Sequence, residues 1–154
     1  MRLASLAWCL LLMWCGFGCS RSSSLQDFGV QYEPPSGMSL RTVEAGPPGL
    51  ARFEGGLELR SVRGETPALA AGPDAVMAAA GLTVPGSLRK NSEGTLPAGP
   101  VARYEFFTAG DSRTLVYFVP RKDGFVLVTF SAPERDYGAL SARVERSLST
   151  LRTW

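Results

Sequence analysis

The sequence predicts an α+β fold, an antiparallel β-sheet of about six strands packed against helices. Three observations carry this expectation. Residues 101–107 (VARYEFF), 114–119 (TLVYFV) and 125–131 (FVLVTFS) are rich in β-branched and aromatic side chains, and short turns at Gly110-Asp111 and Lys122-Asp123-Gly124 separate them. After Pro133 the period becomes helical: Tyr137, Leu140, Val144, Leu148 and Leu151 fall on one face, while Arg143, Glu145, Arg146 and Arg152 point elsewhere. Upstream, two strand-like runs joined by Gly55-Gly56 read as a β-hairpin. With 154 residues, the chain suits one domain.

The elements follow in order from residue 28. Residues 28–33 (FGVQYE) alternate as a half-buried strand does, and Pro34-Pro35-Ser36-Gly37 is a turn. Met38, Leu40 and Val43 mark a second short strand, and Gly46-Pro47-Pro48-Gly49 turns the chain again. Residues 50–54 and 57–62 form the two arms of the hairpin. Pro73 followed by strong helix formers, with Gly81 just beyond them, predicts a helix over 73–80. Residues 82–100 hold many Gly and Pro and read as loop with at most a short strand. The helix after Pro133 takes Asp136 as its N-cap.

The first twenty residues have a different character. Arg2 is the only charge before Arg21, and residues 6–14 (LAWCLLLMW) form a short apolar core. This pattern matches a secretory leader. The uncharged stretch barely reaches the length of a membrane-spanning helix, and its end, Gly16-Phe17-Gly18, forms helix poorly. Three outcomes remain open: release after cleavage, retention as an uncleaved anchor, and processing as a lipoprotein. The third follows from Gly18-Cys19, which resembles the lipobox of bacterial lipoproteins, although Gly16 stands where that motif customarily has Leu. The resemblance implies cleavage between Gly18 and Cys19, with diacylglycerol on the Cys19 thiol and acylation of the new N-terminus. Bulky Trp14 and Trp8 precede Cys15 and Cys9, so these fit the motif less well.

The chain's cysteine usage agrees with that reading. All three cysteines lie at or before position 19, so Cys19 has no disulfide partner after cleavage. A lone thiol in an oxidising compartment is a liability unless it is used covalently. The expected organisation is a signal peptide over 1–18, a lipidated N-terminus and Ser-rich tether over 19–27, and a domain over 28–154. In lipoproteins of two-membrane bacteria, Asp directly after the Cys favours inner-membrane retention. Ser20 therefore points to the periplasmic side of the outer membrane, with secretion as the alternative.

Composition narrows the chemistry. Histidine is absent, which removes the usual general base at neutral pH and, with the position of the cysteines, the usual ligands of zinc, copper or haem. No metal or cofactor is expected. Net charge is +2 without a basic block, so no nucleic-acid partner is expected. An enzyme would have to use Asp111 with Ser112, Asp123, Glu134 and Asp136. Each sits in a predicted turn or helix start, where acids and hydroxyls serve local hydrogen bonding and the helix dipole. The Gly-rich turns lack phosphate-loop spacing. Tyr104, Phe106, Phe107, Tyr117, Phe118, Phe125 and Phe130 alternate on strands as core residues do. The adjacent pairs Phe106-Phe107 and Tyr117-Phe118 require that both sheet faces be covered, or that one face offer an aromatic patch.

Residues 123–134 (DGFVLVTFSAPE) and the helix ending in Glu145-Arg146-Ser147-Leu148 resemble the C-terminal half of PsbP-like domains, a family that includes DcrB-type bacterial lipoproteins. The opening 29–38 (GVQYEPPSGM) is similar to their first strand and Pro-Gly turn, with Met38 where an aromatic is common. The resemblance implies an antiparallel sheet between helical layers and a non-catalytic domain with a protein partner in the cell envelope. It transfers fold better than function. The expectation is a membrane-anchored, non-catalytic lipoprotein that binds or supports another envelope component. The alternative is a hydrolase or small-ligand carrier with a carboxylate and aromatic cleft.

Overall fold

The computed structural model describes residues 24–154; the expected leader, the Gly18-Cys19 processing site and the first residues of the tether lie outside the described residues. A 3-10 turn at Leu25–Phe28 leads into β1 (Val30–Gln31), β2 (Leu40–Glu44), β3 (Gly49–Phe53) and β4 (Leu57–Arg63). The short helix α1 (Pro73–Ala79) follows, then β5 (Ser87–Leu96), β6 (Gly99–Thr108), β7 (Ser112–Arg121) and β8 (Gly124–Pro133). Helix α2 (Glu134–Ser147), a 3-10 turn at Leu148–Thr150 and β9 (Arg152–Thr153) complete the chain.

Seven strands form one antiparallel sheet in the order β2-β3-β4-β8-β7-β6-β5, and β1 pairs separately with β9. Strand alternation splits the apolar side chains between two cores. Leu115, Tyr117 and Val119 of β7 and Val126, Val128 and Phe130 of β8 face α2, which buries Tyr137 and Val144, with Leu148 just beyond its end. Tyr137 stacks on Phe130 with ring centroids 6.1 Å apart. Tyr104, Phe106, Phe118, Phe125 and Leu127 face the other way, under Val76 and Met77 of α1 and Ala80 just after it. Each fully buried Phe contributes roughly 1.5–3 kcal/mol relative to exposure in water. Both faces are therefore covered, which resolves the adjacent aromatic pairs with one exception: Phe107 faces the α2 side and remains 48% exposed.

The structure corrects the sequence reading at several places. Residues 87–96, read as loop, form a ten-residue edge strand. Almost every residue of β5 is exposed, so polar side chains occupy both of its faces and the period-2 signal is missing. Its pairing with β6 does not depend on that signal. Phe28 belongs to the 3-10 turn rather than to a strand, and only Val30 and Gln31 pair, with Thr153 and Arg152. Helix α2 ends at Ser147, so Leu151 is buried from an extended segment. Finally, Pro133 precedes the helix and Asp136 lies inside its first turn, so Asp136 is not the N-cap. The Glu134 amide instead donates to the Asp111 carbonyl at 2.9 Å. The main sheet has seven strands rather than about six.

The expected hairpin and first helix are present. β3 and β4 pair antiparallel around a 3-10 turn at Glu54–Gly56, where a Cβ on Gly56 would stand 2.5 Å from the Ser131 carbonyl oxygen. α1 begins with Pro73 at its first turn, and Gly81 follows with φ +69°.

Candidate functional site

The acids singled out by the sequence do not form one cluster. Asp111 sits in the β6–β7 turn with φ 53°, and Ser112 donates its hydroxyl to the Gly110 carbonyl. Glu134 and Asp136 start α2 near that turn; Glu134 is paired with Arg113 and Asp136 with its neighbour Arg135. Asp123 stands at the other end of β7, 3.1 Å from the Arg121 Nε. Among the described residues, no group of three or more Cys, His, Asp or Glu side chains is placed to hold a metal ion. No helix of the described residues is long and apolar enough to cross a membrane.

A charge network that sequence reading missed joins α2 to β6 and β7. Arg103 and Glu105 are two residues apart on β6, so both project toward α2. Arg103 donates from Nε to Glu145 of α2 at 2.6 Å and from a terminal nitrogen to Glu105 at 2.5 Å. The Tyr117 hydroxyl donates to the same Glu145 oxygen at 3.0 Å, and Arg89 of β5 reaches Glu105 at 3.2 Å. The Glu105 side chain is only 8% exposed. Burial pushes its carboxyl up, but the Arg103 hydrogen bond and charge outweigh burial and leave it below the usual carboxylate range. Burial likewise works against the Arg103 charge, and its bonds to Glu145 and Glu105 reverse the sign and hold it above its ordinary value. Both carboxylates are therefore paired with one guanidinium, which fastens α2 to β6. The legible signal was Arg103-x-Glu105 within an otherwise apolar strand.

The four tyrosines of the chain share one property. Burial raises Tyr32, Tyr104, Tyr117 and Tyr137 above their ordinary value, with Glu145 adding to the shift of Tyr117, which reaches about 12. A raised folded-state value means that the protonated phenol favours the fold. That contribution is fully present below the unfolded tyrosine pKa of about 10 and is lost as pH rises through the folded value. In an alkaline titration, tyrosinate absorbance is expected to rise only together with loss of the near-ultraviolet dichroism. An absorbance transition centred near pH ~10 with the fold intact would contradict the packing described for these rings.

No protein-family model matches the chain, and no curated protein matches it. The site must be read from its own geometry.

The two ends of the sheet differ. At one end β4 finishes, β7 finishes and β8 begins, and the N-terminal turn is fastened there. Arg121, whose side chain is 3% exposed, donates to the Phe28 carbonyl at 2.6 Å and to the Ser61 hydroxyl at 2.9 Å. The Ser61 hydroxyl in turn donates to the Phe28 carbonyl at 3.2 Å. At this end the Trp154 amide also bonds the Gly29 carbonyl, at 3.2 Å. Three of the four exposed large apolar side chains among the described residues, Leu40, Leu88 and Phe107, lie at the opposite end, at the start of β2, the start of β5 and the close of β6, while the fourth, Trp154, lies beside the N-terminal turn. Phe107 is flanked there by two guanidinium groups, Arg89 at 5.5 Å and Arg113 at 5.4 Å from its ring centroid.

Proposed function

We propose that the chain is a non-catalytic, membrane-anchored envelope lipoprotein whose PsbP-like domain binds or supports another envelope component. Cys19 carries the lipid after cleavage following Gly18, residues 19–27 connect it to the domain, and the domain works on the periplasmic side of the outer membrane. The observation that supports this reading most is the opposition of the two ends of the sheet. The described chain starts at one end, held by Arg121, while Phe107 with its flanking Arg89 and Arg113 lies at the other. A tethered domain that meets a partner needs its contact residues away from the tether. An exposed aromatic beside arginines has the composition of interface hot spots.

The carboxylates support the non-catalytic part of the reading. A hydrolase using the predicted acids needs two of them facing across one cleft. Asp123 lies at the opposite end of β7 from Asp111, and Glu134 and Asp136 are each ion-paired.

The test is proximity crosslinking in the intact envelope, with wild type, Cys19→Ala and Phe107→Asp compared in one experiment. Wild type is expected at the processed, acylated mass in the membrane fraction, with a saturable crosslink to one partner. Cys19→Ala is expected to lose the acylated mass and the fractionation. Phe107→Asp is expected to keep both and to lose the crosslink. A Cys19→Ala protein with unchanged mass and fractionation would refute the anchor. A crosslink pattern indifferent to Phe107 would refute the contact surface.

A further inference from the structure

α1 has seven residues and cannot cover its whole face of the sheet. Beyond it, strand pairing lines up Glu58 of β4, Thr129 of β8 and Val116 of β7, with Ser131 and Thr114 paired in the next row. Met77 of α1 and the following segment, through Leu82, Thr83 and Pro85, wall this floor on one side. The result is an open groove of about 420 Å³, within the usual range for small-ligand sites of about 300–1,000 Å³. One part of its lining is apolar, from Met77, Leu82, Pro85 and Val116. The other carries hydroxyls and two charges, Glu58 and Arg60.

The two charges are not equivalent. Glu58 is paired with Arg52 at 3.3 Å, a guanidinium that it shares with Glu44. Arg60, two residues further along β4 and on the same face, has no ion-pair partner and no side-chain hydrogen bond among the described residues. Thr114 and Ser131 satisfy one another at 2.8 Å, whereas Thr129 lies diagonal to Arg60 across the β4–β8 pair with its hydroxyl unengaged among the described residues. A half-buried guanidinium presents a planar fork of donors that matches a carboxylate or a phosphate. The Glu58 carboxylate in the same lining tolerates a monoanion better than a dianion.

We infer that this groove binds a small organic monocarboxylate with an apolar tail. Its carboxylate sits on Arg60 with the Thr129 hydroxyl, and its tail lies against Met77, Leu82 and Val116. The site is on the opposite sheet face from Phe107 and stands whether or not the chain carries a lipid.

Equilibrium dialysis of labelled hexanoate against the full chain in nanodiscs, with empty nanodiscs subtracted, tests this. Hexanoate is expected to bind saturably, and Arg60→Gln to weaken it by about tenfold or more, the loss of one charge-assisted contact. Since Arg60 holds no neighbour, its replacement should leave the melting temperature unchanged. Leu82→Trp, which fills the groove from the wall and leaves Arg60 in place, should abolish binding independently. Hexanol and hexyl phosphate should both bind more weakly than hexanoate. Absence of saturable hexanoate binding, equal binding by Arg60→Gln, or tighter binding of hexyl phosphate would each overturn the inference.

Discussion

Replacing Arg103 with methionine is expected to destabilise the domain by about 3 kcal/mol, the low end of the range for breaking a buried ion pair. Arg103 is the only group of the network that touches both carboxylates. Without it, Glu105 keeps the neighbouring Tyr137 hydroxyl and, as its one cation, Arg89, whose side chain is 42% exposed and screened by solvent, while its own carboxyl stays buried. Glu145 suffers less because its side chain is 32% exposed and still accepts from Tyr117. The penalty therefore comes mainly from one stranded carboxylate. Replacing both members, Arg103→Met with Glu105→Leu, should recover most of the loss, since an apolar pair of similar volume removes the desolvation cost from both sides.

The same variant carries a pH signature. The folded-state Glu105 value is depressed, so its contribution is present above the unfolded carboxyl pKa of about 4.3 and disappears as pH falls through the lower folded value. The stability gap between wild type and Arg103→Met should thus be widest near neutrality and shrink in acid. A gap that stays constant or widens on acidification, measured by denaturant melts, would mean that Arg103 acts through packing alone.

The second large effect is expected at Arg121. Methionine there retains most of the buried stem but loses the donors to the Phe28 carbonyl and the Ser61 hydroxyl. Hydrogen bonds from a charged donor contribute about 1.5–3 kcal/mol each. Against this, burial disfavours the guanidinium charge, holding Arg121 below its ordinary value, and methionine escapes that cost. The expected net loss is about 2–3 kcal/mol, with protease cleavage appearing first near the N-terminal turn. Asp123→Asn is the matched control: Asp123 is 54% exposed, so loss of this ion pair should change stability by under about 1 kcal/mol. If Asp123→Asn proved as damaging as Arg121→Met, the latch would be the ion pair and not the carbonyl contact.

The strands that the sequence revealed most clearly are those buried on both faces. β6, β7 and β8 read as apolar runs because α1 and α2 cover opposite sides of them. β5 escaped the reading because an edge strand exposed on both faces needs no apolar side chain, and its stability comes from the backbone of β6. The pairing of β1 with β9 was equally hidden, since two-residue strands have no period and their partners stand at opposite ends of the sequence. For the candidate site, the acids were legible as turn and helix-start residues, and the structure places Asp111 in a turn and Glu134 at the start of α2. Arg103-x-Glu105 and the Phe106-Phe107 pair stood out on the strand, but their roles, like that of Arg60, were not legible, because a charge or an aromatic on a strand takes its meaning from what covers that face. Cover is a tertiary property: the length of α1 decides that Arg60 lines a groove while Phe118 on the same face is buried.

The pairing of Val30 and Gln31 with Thr153 and Arg152 also sets an order of events during synthesis. The first strand cannot find its partner until residues 152–153 have been made and released from the ribosome. Phe28 meets a similar delay, because its carbonyl is held by a side chain that arrives 93 residues later. The segment Ser24–Gln31 is thus made early and secured late. A deletion of residues 152–154, or a bulky insertion there, would act far away in the sequence, loosening the very segment through which any upstream attachment would hold the domain.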